Sequence, residues 1–240
     1  MSRISVVIPA HNEQRHLPEC LDSVRRAAAS IHCAVEVVVV ANRCTDSTVA
    51  IADRSGARVV IDENRAIAAV RNVGVRHSSG EIVVTIDADS LMHHDALGEV
   101  ERHLATGRYI GGGTSFVPER RSVGIDTTMA LVRFGTLVSG FGGAMYWFRR
   151  DDFDAIGGFD ERMRMADALD FARRLREYGR RSQRRFVMLR NVPVVTSCRK
   201  FDRFGDWHVF GMIRHPGEVR ASMRGTDHTF ADRYFYDFGR

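Results

Sequence analysis

Long apolar runs are missing from this sequence. The longest stretch without a charged residue, Phe134 to Phe148, contains four glycines and falls short of the roughly 20 apolar residues that a membrane-spanning helix needs. No transmembrane segment is expected. Cysteine is scarce as well. Cys20, Cys33, Cys44 and Cys198 nowhere take the C-x-x-C spacing of a zinc site or redox pair, so they read as free thiols in a reducing compartment. No G-x-G-x-x-G follows the first apolar run and no G-x-x-x-x-G-K occurs, which argues against a dinucleotide dehydrogenase and a P-loop NTPase. The first residues carry no signal-peptide pattern, since Met1-Ser2-Arg3 leads directly into Ile4-Ser5-Val6-Val7-Ile8-Pro9. A cytoplasmic protein is expected.

What is present suits one large domain. The 240 residues are 44% hydrophobic and carry a formal charge of +5, enough for a substantial core and favourable to an anionic partner, whether nucleotide, nucleic acid or lipid headgroup. The basic residues gather late, in Arg173-Arg174-Leu175-Arg176, Arg180-Arg181, Arg184-Arg185 and Arg199-Lys200. Charge alone does not choose among these partners.

In the first hundred residues strand-like and helix-like segments alternate, the pattern of a parallel sheet with crossover helices. Strands are predicted at residues 4–9, 35–41, 58–61 and 82–86, and helices at 15–30, 45–55 and 67–78. Sheets of this kind bind ligands beyond the carboxyl ends of their strands. Three such ends are polar here: Pro9-Ala10-His11-Asn12-Glu13, Asn42-Arg43-Cys44-Thr45-Asp46 and Asp87-Ala88-Asp89. The last places two carboxylates two residues apart after the apolar run Ile82 to Ile86. In an extended chain they share a face, so both can converge on one divalent cation and on the phosphates it bridges.

The second half is patterned differently. A strand is predicted at 108–116 around Gly111-Gly112-Gly113, a helix at 127–138, and a glycine-opened loop from Gly140 that runs into an aromatic strand ending at Phe148. Gly157-Gly158 closes a helix, an amphipathic helix starts at Asp167, and Arg199-Lys200 follows a strand-like run at Val194. An amphipathic helix at 207–215 and an aromatic tail at 234–238 complete the reading.

The order of these pieces resembles the family 2 glycosyltransferases, nucleotide-sugar-dependent enzymes of the GT-A fold. The likeness covers roughly residues 3 to 200 and rests on five motifs: Val6 to Glu13, Asn42 to Thr48, Ala69 to Gly74, Asp87-Ala88-Asp89, and Gly157 to Glu161 leading to Asp167. It implies an α/β GT-A fold, a Rossmann-like mostly parallel sheet with helices on both faces plus a mixed acceptor-side segment. Residues 1–240 would form a single domain: a nucleotide-sugar half at 1–100, an acceptor half at 101–200 and an aromatic, basic tail at 201–240.

The resemblance also implies roles. Pro9, Ala10, Asn12, Glu13 and Asn42 would meet the nucleoside, although the family usually has an acidic residue where Asn42 stands, which leaves the base open. Arg71, at the start of a helix with Asn72, and Arg199 would contact the diphosphate, where a guanidinium makes paired hydrogen bonds. Asp87 and Ala88 would lie against the donor, and Asp89 would hold Mg²⁺ or Mn²⁺, hard cations that prefer carboxylate and phosphate oxygens. Tyr146 and Trp147 would offer the acceptor a flat platform. The family usually shows Glu-Asp where this chain has Asp167-Ala168, so the expected base is replaced by alanine and Asp167 takes the role, with Asp170 a partner of Arg174. His93 and His94 are left out of the site.

The implied activity is metal-dependent, inverting transfer of a sugar from a nucleoside-diphosphate sugar to a hydroxyl acceptor that is a saccharide, lipid-linked or a small molecule. Nucleic acid is not an expected partner. The basic late segment allows peripheral contact with the inner membrane face, or a homodimer. A nucleotidyltransferase would carry a Gly-rich, Lys-containing loop after the first strand, which Pro9 to Glu13 lacks. The alternative from another class is a non-catalytic nucleotide-sugar binding or partner protein that has lost its base.

Overall fold

Residues 3–139, 143–163, 166–207 and 209–210 are described by the structure, a computed structural model. The first half alternates as predicted: β1 (Arg3–Ala10), α1 (Leu17–Ala28), β2 (Ala34–Asn42), α2 (Thr48–Arg54), β3 (Arg58–Asp62), α3 (Ile67–Arg76) and β4 (Ile82–Ile86). There follow β5 (Ser90–Leu91), α4 (Ala96–Ala105), β6 (Tyr109–Pro118), α5 (Val123–Ser139), β7 (Met145–Arg149), α6 (Arg150–Ala155), α7 (Asp167–Arg181), β8 (Arg185–Thr196) and α8 (Arg199–Phe204). All eight strands join one sheet in the order β3-β2-β1-β4-β7-β6-β8-β5. The predicted helix at 207–215 lies largely, and the tail at 234–238 wholly, outside the described residues, as do Gly140 to Gly142 of the predicted loop and position 215.

β1 to β4 pair in parallel, and their side chains alternate between two cores. Ile4, Val6 and Ile8 of β1 face α1 and α4, together with Val39, Val84 and Ile86. Val7 faces the other way, with Val38, Val40 and Val83, onto α3 and α7. Near-continuous Val/Ile runs are what a parallel strand covered on both faces requires. The expected helices on both faces are therefore present, and so is the mixed segment: β7 runs antiparallel to β4 and β6, while β8 is parallel to β6.

The same alternation corrects one expectation. On β7, Tyr146 and Phe148 fall on the α3 side, whereas Met145 and Trp147 fall on the α1 side. Trp147 is wholly buried and serves as core beneath β6, so it offers no platform to a ligand. Three helices extend or add to the predicted pattern. α5 begins at Val123, ahead of residue 127, while α8 and α4 had no predicted counterpart, although Ala96, Leu97, Val100 and Leu104 of α4 mark one apolar helix face.

Gly112 on β6 is a position where only a hydrogen fits. A Cβ there would collide with the Val187 carbonyl and lie 2.6 Å from Cζ2 of Trp147. Gly112→Ala is expected to lower stability by about 1–3 kcal/mol or more through overpacking. Urea unfolding checks it: the midpoint falls while the slope is unchanged.

Candidate active site

The carboxyl ends of β1, β2 and β4, the middle of α3, β7 and the starts of α7 and α8 enclose one cleft of ≈ 400 Å³. It is lined by Pro9, Ala10, Glu13, Asn42, Arg71, Asp87, Ala88, Asp89, Asp167 and Arg199. Of the residues read from the sequence as nucleotide-binding, Asn12 alone stays out. Its backbone is left-handed at φ 53, and its Oδ1 accepts the Thr45 N–H at 2.8 Å, so it braces the turn after β2.

The acidic pair is arranged differently from the extended geometry predicted. Asp87-Ala88-Asp89 is a turn, closed by the Ser90 N–H donating to the Asp87 carbonyl at 3.1 Å. The two carboxylates separate and each meets its own arginine. Arg71 donates through Nη2 to Asp87 at 2.8 Å and through Nη1 to Asp167 at 2.6 Å. Arg199 donates through Nη1 to Glu13 at 2.7 Å, and its Nε lies 3.0 Å from Asp89 Oδ2. Each guanidinium thus bridges one acid of the turn to one acid from elsewhere. Arg71 lies in the second turn of α3, one turn beyond the predicted helix start. Burial would push its guanidinium down, but Asp167 and Asp87 outweigh this and hold it above its ordinary range. Burial pushes the Glu13 carboxyl up, against the opposing pull of Arg199.

Asn42, buried at the end of β2, donates to Asp62 Oδ2 at 2.8 Å and to the Asn64 carbonyl at 2.7 Å. Asp62, buried at the end of β3, is thus held between Asn42 and Asn64 behind this end of the cleft. Several lining residues were given no role from the sequence, among them His11, Arg65 and Lys200. His11 Nδ1 sits 2.7 Å from the Asn42 carbonyl, and since a carbonyl only accepts, that nitrogen carries the hydrogen. Burial drives Lys200 below the usual ammonium range, opposed by Asp89. Arg65 completes the β3 side. His11 lies inside the Val6 to Glu13 motif and Lys200 beside Arg199, yet only the tertiary fold shows that their side chains reach the cleft.

Tyr146 lines the cleft, and burial raises its phenol above the ordinary range, so it remains a hydrogen-bond donor at neutral pH. Asp170 pairs with Arg174 at 2.6 Å, as expected, and Arg174 also ties down the Ile156 and Gly158 carbonyls. Asn72 is structural: it exchanges hydrogen bonds with the Phe159 backbone. Cys198 precedes α8, which is anchored by the Arg120 fork on Asp202 and Asp206. His93, His94 and Asp95 form a surface group with ligand atoms within 4.8 Å of one another, but they do not line the cleft.

The glycosyl transferase family 2 model matches residues 5–157, nearly two thirds of the chain. The chain belongs to this family. An undecaprenyl-phosphate 4-deoxy-4-formamido-L-arabinose transferase of Salmonella choleraesuis (strain SC-B67) is 30% identical over 96 residues, which are 37% of this chain and 29% of that relative. The chain therefore matches less than a third of that relative's length. Among solved structures, the mannosyltransferase PcManGT of Pyrobaculum calidifontis in complex with GDP-Man and Mn²⁺ superposes with a TM-score of 0.64 at 26% identity, over 81% of this chain and 56% of that one. Glucosyl-3-phosphoglycerate synthase of Mycobacterium tuberculosis, solved with Mn²⁺, UDP and its product, shares the fold with a TM-score of 0.60 at 20% identity, over 85% and 75%. The sheet is thus of the GT-A kind. Among the described residues no helix is long and apolar enough to cross a membrane.

Arg199→Gln removes the main influence holding Glu13 down, so the carboxyl climbs further. A carboxyl whose folded pKa is raised stabilises below its unfolded pKa and loses that contribution as pH rises through the folded value. The fall in melting temperature between about pH 5 and about pH 8 should therefore be larger in Arg199→Gln than in the wild type; an equal fall in both proteins counts against the pairing.

Proposed function

We propose that the cleft transfers a sugar from a nucleoside-diphosphate sugar to a hydroxyl acceptor. The observation that carries this reading is the double bridge: Arg71 and Arg199 each join an acid of the β4 turn to a second acid. Anion-binding cations, a cation-binding carboxylate and a candidate base are thereby held in one space. Mannosyl and glucosyl transferases of the same fold bind GDP-Man or UDP with Mn²⁺, which supports the same donor class here.

The donor's orientation follows from strand order. β2 lies two strands from β4, and at about 4.8 Å per strand Asn42 is displaced by about 10 Å from the acidic turn. That is the reach of a nucleoside between base and diphosphate. The base would then lie toward Asn42, Asp62 and Arg65, with Pro9, Ala10 and Glu13 beneath the nucleoside, and the diphosphate between Arg71, Arg199 and Lys200. Arg71 and Arg199 would exchange carboxylate oxygens for phosphate oxygens in charge-assisted hydrogen bonds.

The residues present fit Mg²⁺ or Mn²⁺. Asp89 offers hard carboxylate oxygens in the cleft and already attracts a positive group, the Arg199 guanidinium. Asp89 would hold the ion together with diphosphate oxygens, and the ion would neutralise the departing nucleoside diphosphate. Asp167 would take the proton of the acceptor hydroxyl as its oxygen attacks the anomeric carbon and the bond to diphosphate breaks on the opposite side, inverting the configuration. Residues 1–100 then serve as the nucleotide half and 101–200 as the acceptor half of a single domain. An acceptor carried on a lipid phosphate, as in the Salmonella relative, would bring the protein to a membrane surface.

Ala168 favours a second reading. It lines the cleft where the resemblance would put the base, and a binding protein without turnover would keep every other feature. Transfer assays with Mn²⁺ separate the two. Asp167→Asn is expected to lower turnover at least about 10²-fold while nucleotide affinity holds, and Asp89→Asn to lose the metal's effect on both. A wild type that binds nucleotide yet turns over no donor in a broad panel establishes the binding protein instead.

A further inference from the structure

Arg199 grips the acid that a metal would need. Its Nε lies 3.0 Å from Asp89 Oδ2, and Asp89 is only 15% exposed, so a guanidinium already covers the carboxylate proposed to hold the ion. At its other end the same guanidinium donates through Nη1 to the buried Glu13 at 2.7 Å. A divalent ion and a guanidinium are both positive, so they compete for Asp89 instead of sharing it.

Neither acid can back away. Ser90 pairs with Thr196, and the Ser197 N–H donates to the Asp89 carbonyl at 3.1 Å, which fixes the acidic turn to the end of β8. Glu13 is held in turn by its own N–H, which donates to the Thr48 hydroxyl at 2.8 Å. The member that can move is Arg199. Its side chain is 34% exposed and springs from the first position of α8, whose later residues Asp202 and, just beyond the helix, Asp206 stay pinned by Arg120. Rotation of one long side chain is enough to uncover Asp89. A nucleoside diphosphate supplies the reason to rotate, because its oxygens offer the guanidinium paired, charge-assisted hydrogen bonds and also stand ready as further ligands for the ion.

We propose that Arg199 is a positioning residue that makes metal capture conditional on the nucleotide: it caps Asp89 in the empty cleft and releases that carboxylate when a diphosphate draws the guanidinium away. This rests on the sugar-transfer reading of the cleft. The two binding events are then coupled, and the coupling is reciprocal, so the ion strengthens the nucleotide by the factor with which the nucleotide strengthens the ion. The metal arrives with the donor and not before it.

Mn²⁺ binding by the full chain tests it without any turnover, read from the electron-paramagnetic-resonance signal of the free ion with and without UDP or GDP, the nucleotide's own hold on the ion subtracted. In the wild type Mn²⁺ alone is expected to bind weakly, and nucleotide to tighten it at least about 10-fold. Arg199→Gln should bind Mn²⁺ alone at least about 10-fold more tightly than the wild type, and the tightening by nucleotide should shrink by a similar factor. Adding Asp89→Asn to that variant should abolish the gain. Arg199→Met, which keeps the apolar stem, repeats the comparison should the Gln variant fail to fold. A residue that only adds charge, or only contacts phosphate, alters Mn²⁺ affinity equally in both conditions, so its removal leaves the tightening as it was. The proposal is overturned if the Arg199 variants keep the wild-type tightening, or if Mn²⁺ alone binds them no better than the wild type. If neither nucleotide binds in either metal condition, the sugar-transfer reading falls, while a nucleotide-free gain of Mn²⁺ that Asp89→Asn removes upholds the capping of Asp89.

Discussion

Four carboxylates, those of Glu13, Asp87, Asp89 and Asp167, share one cleft with two guanidiniums that divide them into pairs. Without Arg71 and Arg199 the arrangement would not hold, because two like charges about 4 Å apart near a protein surface repel by about 4 kcal/mol. Removing one partner of a buried pair costs about 3–5 kcal/mol, and since Arg71 and Asp167 are such a pair, 12% and 8% exposed, Arg71 is as much part of the fold as of the site. The bridges also connect distant parts of the chain. Arg71 ties the β4 turn to the start of α7, and Arg199 ties that same turn to the end of β1.

The sheet makes this possible by ending several strands at one level. β1, β2 and β4 run parallel, so their carboxyl ends open into a common space, and α3 enters that space from the face opposite α1. Gly74 allows α3 to sit close, since a Cβ there would collide with Val7 and lie 2.9 Å from Val40 Cγ2. The antiparallel strand β7 then brings Tyr146 to the same rim while Trp147 fills the core below. One residue of offset separates an aromatic that lines the cleft from one that fills the core.

Much of this was readable from residue order. The apolar runs and their polar ends located the cleft before any coordinates, because strand period and strand-end binding are local and general rules. The Asp170–Arg174 pair was legible for the same reason, being a matter of helix spacing. What escaped was set by tertiary geometry. The β4 turn, which separates Asp87 from Asp89, depends on a hydrogen bond at Ser90 that no propensity announces. Asn12 belonged to a polar strand end and was read as a contact, yet its left-handed backbone turns its side chain to Thr45. His11 and Lys200 stand beside residues that were read as contacts, but sequence order alone does not say which neighbours in such a segment turn toward the cleft.

The span that identifies the family stops at residue 157, whereas Asp167 and Arg199 lie beyond it. Arg199 sits on a helix of six residues, too short to hold its own position, and the Arg120 fork on Asp202 and Asp206 anchors it. The matched span alone therefore holds neither double bridge whole. Closing the cleft falls to side chains outside that span, so one six-residue helix and the start of α7 decide whether the acids of the β4 turn are held apart.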